Sequence, residues 1–351
     1  MQRKFRIRLC FSCSDNRKSK IKNRKSAGIF ALVVTFAMSG AVAQAQQPTK
    51  IPRIGVLDTS TASSSAAQWQ AFRQELSKLG WIEGKNIAFE YRYAEQKSER
   101  LPEFAADLVA IKVDLIVVTA GPAAAAAKKA TPAIPIVMTN AADPVGAGLI
   151  ASLARPGANV TGLASLAPEL NTKRLEILKD ALPGLSRVGL LWLSGGGRGQ
   201  ELQMKELRPA ATALKIKLEE IETHPDDREL DSAFQTAKQK QIKAIMTTNT
   251  RPFLTERKRI VELARKYRLP AIYGQKEFVD EGGLMSYGAP YDDLHRRAAV
   301  YVDKILKGAK PADLPVQQAT KFEFVINLKA AKQIGLIIPG RVLERANQVI
   351  K

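Results

Sequence analysis

The sequence predicts an α/β protein of two doubly wound, Rossmann-like lobes joined at a hinge. Three observations predict it. The apolar runs at 115–118 and 134–138 are unbroken, not alternating, and such strands are covered on both faces, as in the middle of a parallel sheet. Runs of this kind alternate with stretches of helical spacing, the rhythm of βαβ units. The rhythm then restarts after Ser165, giving two similar halves at about 53–164 and 165–288. A chain of 351 residues is comfortable for two lobes.

Each element has its own signal. Residues 46–52 are a linker, and 53–58 is a buried strand that ends in a hydroxyl-rich loop at 59–65. Trp69, Phe72, Leu76 and Leu79 recur at helical spacing across 66–79, and Gly80 stops the helix. Residues 86–93 alternate, with Ile87, Phe89, Tyr91 and Tyr93 on one face, as an outer strand does. A helix at 98–111 leads into the strand 115–118, which stops at Thr119-Ala120-Gly121-Pro122. The 134–138 strand stops at Thr139-Asn140-Ala141-Ala142-Asp143-Pro144, and the short run 160–163 leaves one lobe for the other.

The second half reads as helix 168–182, strand 188–193, helix 200–214, strand 217–221, helix 227–239, strand 244–247, helix 252–267, and strands 270–274 and 284–288. A tail follows, with a helix at 291–306, a Pro-rich turn at 310–315, a strand at 322–326 and a helix at 328–334. The tail returns to the first half, so the chain crosses between lobes more than once. The expected domains are therefore 46–164, completed by about 289–320, and 165–288, with 321–351 as the candidate piece completing the second.

The net charge of +20 is concentrated at the start: residues 1–45 hold ten Lys or Arg and one acidic residue, Asp15, which is +9 of it. A basic segment around Arg17–Lys25, an apolar stretch at 29–38 and small residues at 41–45 read as a cleaved export signal. The apolar stretch falls short of the ~20 residues a membrane span needs. Both cysteines, Cys10 and Cys13, fall in that segment, so the exported part carries no disulfide and no thiolate metal site. The periplasm is the expected location.

Catalytic patterns are missing. The two histidines, His224 and His295, have no ligand at metal spacing and read as ordinary surface or helix residues. No Gly-x-Ser-x-Gly elbow occurs, and no Gly-x-Gly-x-x-Gly follows the first strand. The stretch 80–86 is one residue short of a P-loop, follows a helix, and lacks the magnesium-holding hydroxyl. Basic residues are scattered on helices and aromatics are 6%, which argues against a nucleic-acid platform. The chain reads as a binder and not an enzyme, with no cofactor and no metal.

In an open α/β sheet, ligands sit at the carboxyl ends of the strands. The candidate ligand-binding residues are accordingly Thr59, Ser60, Thr119, Gly121, Asn140, Asp143, Ser194, Asn249, Tyr273 and Tyr287, with Arg251 in the same loop as Asn249. Free N–H groups at Gly121-Pro122 suit a carboxylate. Asp143 either pairs with an ammonium or makes an Asx turn before Pro144. Tyr273 and Tyr287 either flank an apolar ligand body or pack the core and hinge.

Several stretches together resemble one family. Asp143-Pro144-Val145-Gly146-Ala147-Gly148-Leu149, the run 155–162 (RPGANVTG), 269–274 (LPAIYG), 282–288 (GGLMSYG), 301–308 (YVDKILKG) and the ending 322–339 are similar to substrate-binding proteins of ABC transporters of the tryptophan/tyrosine (TrpX-like) type. The loop 194–198 departs from it, since relatives show an Asn-Pro-type loop there. The resemblance implies a type I periplasmic-binding fold with three crossovers between the lobes. It also implies capture of a small amino-acid-like or aromatic carboxylate ligand in the cleft, delivery to an inner-membrane permease, and a monomer. A periplasmic sensing module for a membrane receptor, and an exported α/β enzyme, are the alternatives.

Overall fold

The computed structural model describes residues 50–351 except Gly195 and Gly196, so the expected export signal lies outside the described residues. The first half of the chain gives β1 (Arg53–Asp58), α1 (Ala66–Lys78), β2 (Ala88–Tyr93), α2 (Leu101–Ala110), β3 (Leu115–Val118), α3 (Ala120–Ala130), β4 (Ile136–Ala141) and β5 (Val160–Ala164). There follow α4 (Ala167–Ala181), β6 (Arg187–Leu193), α5 (Gly197–Ala213), β7 (Lys217–Thr223), α6 (Asp227–Gln239), β8 (Ala244–Thr247), α7 (Arg251–Thr255), α8 (Arg257–Lys266), β9 (Ala271–Tyr273), α9 (Glu277–Asp280) and β10 (Met285–Gly288). The tail forms α10 (Tyr291–Leu306), β11 (Gln317–Gln318), β12 (Glu323–Asn327), α11 (Leu328–Gln333), α12 (Gly340–Leu343) and β13 (Gln348–Ile350).

These strands make two sheets. The first is parallel throughout, in the order β11-β5-β4-β3-β1-β2; the second runs β13-β12-β10-β9-β8-β6-β7. In the second sheet only the β10–β12 pairing is antiparallel. Three passages therefore join the lobes: β5 to α4, β10 to α10, and β11 to β12.

The unbroken apolar runs explain the layering. Ile54 and Val56 point to the face covered by α1 and α10, together with Trp69, Phe72, Leu294 and Val302. Leu57, Ile116 and Val118 point to the opposite face, under α2 and α3. In the second lobe Leu190, Met246 and Ile272 pack beneath α4 and α5, while Ile245 and Tyr273 join α6 and α8 in the cluster that continues into the first lobe.

One boundary moves in a way that matters for the site. The strand expected to stop at 138 runs on to Ala141, because Ala141 pairs with Ala164 and accepts the Ser165 N–H at 2.8 Å. Thr139 and Asn140 thus lie within a strand and not in a loop.

Glycine is required at one position of the first sheet. Gly162 on β5 has φ +126°, and a Cβ there would sit 2.2 Å from the Met138 carbonyl oxygen on β4. Backbone cannot yield as a flexible side chain does. Gly162→Ala is expected to lower stability by about 3 kcal/mol from strain and overpacking, measured as a lower denaturation midpoint with an unchanged slope. An unshifted midpoint would show that β4 and β5 are free to part.

Candidate ligand-binding site

Asp58, the last residue of β1, is fully buried and holds a fan of donors. Its Oδ1 accepts from Ser60 N at 2.9 Å, Ser60 Oγ at 2.7 Å and Thr119 Oγ1 at 2.9 Å. Its Oδ2 accepts from Trp69 Nε1 at 2.7 Å. Burial is the largest influence and opposes ionisation, yet the Arg251 charge with the Ser60 and Trp69 donors outweighs it and holds the carboxyl below its ordinary range. The hydroxyls expected at the strand ends therefore have a job: Ser60 and Thr119 hold Asp58. Thr59 donates its N–H to Thr119 Oγ1 at 3.1 Å, and its own buried Oγ1 has no partner.

Across from this carboxylate stands Arg251, the first residue of α7, in the second lobe. Thr250 caps that short helix by accepting the Phe253 N–H. Arg251 is 5% exposed, and its guanidinium carbon lies 5.0 Å from the centre of the Tyr291 ring. Its Nε, Nη1 and Nη2 are all buried without a hydrogen-bond partner. The cation is close enough to act on Asp58, Glu277 and His295.

His295 lies on α10 and is buried, because the helix turns that face onto α1. Its ring meets Trp69 edge-on at 5.2 Å. Burial first, and the Arg251 charge second, push its pKa down to about 4, so the ring is neutral at physiological pH. Nδ1 lies 2.7 Å from the Tyr291 carbonyl; the neutral ring donates there, leaving Nε2 an unpartnered acceptor.

The lobes touch at two places. Gln68 on α1 donates from Nε2 to Glu277 Oε1 at 3.1 Å, and Gln68 Oε1 is left without a partner. At the second place the Gly146 turn lies against Leu202 of α5. A groove of about 510 Å³ runs between α1 and the second lobe, lined by Gln68, Gln74, Lys276, Glu277 and Asp292 among others.

The remaining expected residues occupy varied places. Asn140 Oδ1 accepts from Ala120 N and Thr139 Oγ1, each at 3.0 Å, and so fixes the start of α3, where Gly121 is half-buried. Asp143 Oδ1 accepts from Gly146 N, three residues on, at 2.8 Å and so caps the turn around Pro144 and does not form the i to i+2 Asx turn. Ser194 donates to Glu222 at 2.7 Å on an exposed edge. Asn249 is gripped through its backbone by Gln203. Tyr273 is buried and stacked on Phe278 at 4.4 Å, while Tyr287 is half-buried and stacked on Phe322 at 6.3 Å. The structure thus brings Thr59, Ser60 and Thr119 together around Asp58 and places the two tyrosines in packing layers.

Sequence reasoning did not select Asp58, Gln68, Trp69, Glu277 or His295. Asp58 could have been found, since it ends a buried strand. Among the described residues no group of three or more His, Cys, Asp or Glu is placed to hold a metal, and no helix is long and apolar enough to cross a membrane.

Residues 53–350 match the family described as ABC transporter substrate binding protein. The chain belongs to that family. As a substrate-binding protein it is 27% identical over 269 residues to a tyrosine-binding protein of Clostridioides difficile, covering 76% of each chain. A crystal structure of a conserved domain protein from Vibrio cholerae superposes with a TM-score of 0.79 at 31% identity, over 86% of this chain and all of that one. The ABC domain from Streptococcus pneumonia in complex with L-Trp superposes at 0.78 with 28% identity, over 85% and 99%. The two-lobed α/β architecture is the type I periplasmic-binding fold.

Proposed function

We propose that this substrate-binding protein captures an aromatic α-amino acid between its lobes and hands it to the membrane permease of an importer. The observation that carries the reading is Arg251, a buried guanidinium with no hydrogen-bond partner, facing Asp58 across the lobes. A ligand carboxylate takes two parallel bonds from such a fork. Asp58 Oδ2 has accepted a single donor and retains acceptor capacity for an ammonium group. Trp69, Tyr291 and the neutral His295 ring form aromatic walls, and Thr59 Oγ1 and Gln68 Oε1 offer further acceptors. A relative named for tyrosine and a similar structure holding L-Trp support an aromatic side chain.

Of the strand-end residues, Ser60, Thr119, Gly121, Asn140 and Asn249 support the loops around the ligand; Ser194 and Asp143 sit at the rim, and Tyr273 and Tyr287 pack the second lobe. Ligand that bridges the lobes stabilises the closed arrangement and shifts the hinge population towards it. The basic run, apolar stretch and Ala-x-Ala site at 17–45 support export to the periplasm, where the protein acts as a monomer.

Calorimetry with L-tyrosine, L-tryptophan, L-phenylalanine, L-leucine and the carboxamides of the aromatic three tests the reading. The aromatic acids are expected to bind, and each carboxamide to bind at least about tenfold more weakly, a difference of ~1.4 kcal/mol. Equal binding of acid and carboxamide, or no binding by any compound, refutes it.

A further inference from the structure

The second lobe holds a buried cation that this reading does not use. Arg174 on α4 is 0% exposed. Its Nε donates to the Tyr287 carbonyl at 2.7 Å and its Nη1 to Asn171 Oδ1, while Nη2 has no partner. Burial pulls its pKa down to about 10, so it stays charged near neutrality. A buried guanidinium that meets only a carbonyl and an amide is expensive to keep for packing alone.

What it does to its neighbours is directional. Arginine can only donate, so Asn171 must turn its oxygen towards Arg174. The Asn171 Nδ2 then donates to Gln203 Oε1 at 3.2 Å. That same oxygen accepts the Asn249 N–H at 3.1 Å, and Gln203 Nε2 reaches the Asn249 carbonyl at 3.5 Å. The Gln203 amide therefore clasps the Asn249 backbone from both sides, with an orientation fixed from the arginine end. Asn249 stands two residues before Arg251. At the other end, α4 begins just after the β5 to α4 passage, and Tyr287 stands just before the β10 to α10 passage.

We propose that Arg174, Asn171 and Gln203 are positioning residues, a relay of fixed polarity that ties two of the hinge passages to the loop carrying Arg251 and sets the aim of that guanidinium. The relay rests on the ligand reading only for its purpose; its mechanics stand apart from it.

Asn171→Asp is the decisive variant. The new carboxylate still accepts from Arg174 and gives it a counter-ion, so the fold is kept or strengthened, but it cannot donate to Gln203. Hydrogen exchange of the full chain without ligand is expected to be at least tenfold faster at the Asn249 amide, with exchange inside β6 unchanged. Affinity for L-tyrosine and L-tryptophan, measured on the same preparation, is expected to fall about tenfold while the melting temperature holds or rises. A merely structural Arg174 predicts unchanged exchange and affinity with a higher melting temperature, and that result overturns the relay. Arg174→Met, which severs the relay at its origin, must speed exchange at Asn249 as well; an unchanged rate there also overturns it. If the wild-type chain binds neither amino acid, the ligand reading fails, and the exchange rates still decide the relay.

Discussion

Arg251→Met is expected to weaken amino-acid binding at least about a hundredfold, while the ligand-free protein stays as stable as wild type or becomes more so. The two halves of that expectation come from one fact. All three guanidinium nitrogens are buried and unbonded, so the folded protein carries the desolvation of a cation with no hydrogen bond in return. The idealised penalty is large, and several kcal/mol survive relaxation. The attraction of Asp58 and the Tyr291 ring offset part of it, the ring by roughly 0.5–2 kcal/mol. Methionine keeps most of the side-chain volume over Tyr291 and removes the charge.

Loss of the cation does not leave Asp58 stranded, because its four donors from Ser60, Thr119 and Trp69 remain. Binding is where the loss appears. Each charge-assisted hydrogen bond contributes about 1.5–3 kcal/mol, and two of them to a ligand carboxylate account for the hundredfold. Calorimetry and thermal denaturation on one preparation separate the effects. A variant that binds normally, or one that loses affinity only because it melts early, contradicts the assignment of Arg251 as the carboxylate anchor.

The fold was open to reading from the sequence because buried parallel strands announce themselves. Leu115–Val118 is apolar at every position, and a run that short, bounded by Asp114 and the Gly121-Pro122 turn signal, suits a strand covered on both faces. The site was harder for a related reason. Trp69 falls in the helical stripe of α1 with Phe72 and Leu76, so periodicity assigns it to the core, and it does pack there. Its ring nitrogen nevertheless fixes Asp58. Gln68 and His295 gain meaning only when α9 and the loop before α7 come across from the second lobe, at a sequence separation of 209 residues for the Gln68–Glu277 bond. Spacing along the chain contains no record of that approach. The strand-end rule favoured hydroxyls and amides, whereas in the structure Ser60 and Thr119 spend their hydroxyls on Asp58, and the unpartnered donors belong to Arg251.

Glu277→Gln is expected to bind ligand more tightly than wild type at pH 8, and the difference is expected to shrink as the pH falls through the raised range of Glu277 and to vanish below 4.5. Glu277 accepts a hydrogen bond from Gln68 of the opposite lobe. Burial, the largest influence, raises its pKa above the ordinary 4.5, and Asp280 adds to the rise; a backbone hydrogen bond and the Arg251 and Arg257 charges oppose it without cancelling it. Opening the lobes uncovers the carboxyl and returns the pKa towards 4.5. Between those two values the closed state holds a proton that the open state releases, so acidification favours closure and alkalinity opposes it.

The charged residues acting on this carboxyl are Arg251 on α7, Arg257 on α8 and Asp280 on its own short helix, and Lys276, just before that helix, pairs with Asp280 at 3.6 Å. His295 on α10 also faces Arg251 and runs the opposite way, since its pKa is lowered in the closed state and its proton is favoured by opening. Taking the ratio of wild-type to variant dissociation constants removes the histidine, which both proteins share. That ratio is expected to exceed one at pH 8 and to fall by at most about tenfold per pH unit, the limit for a single proton. The amide also supplies a donor for the unpartnered Gln68 Oε1, which a carboxylate cannot do. A ratio that does not change with pH would mean that Glu277 sees the same surroundings whether the lobes are open or closed, and the Gln68 contact would then have no part in closure.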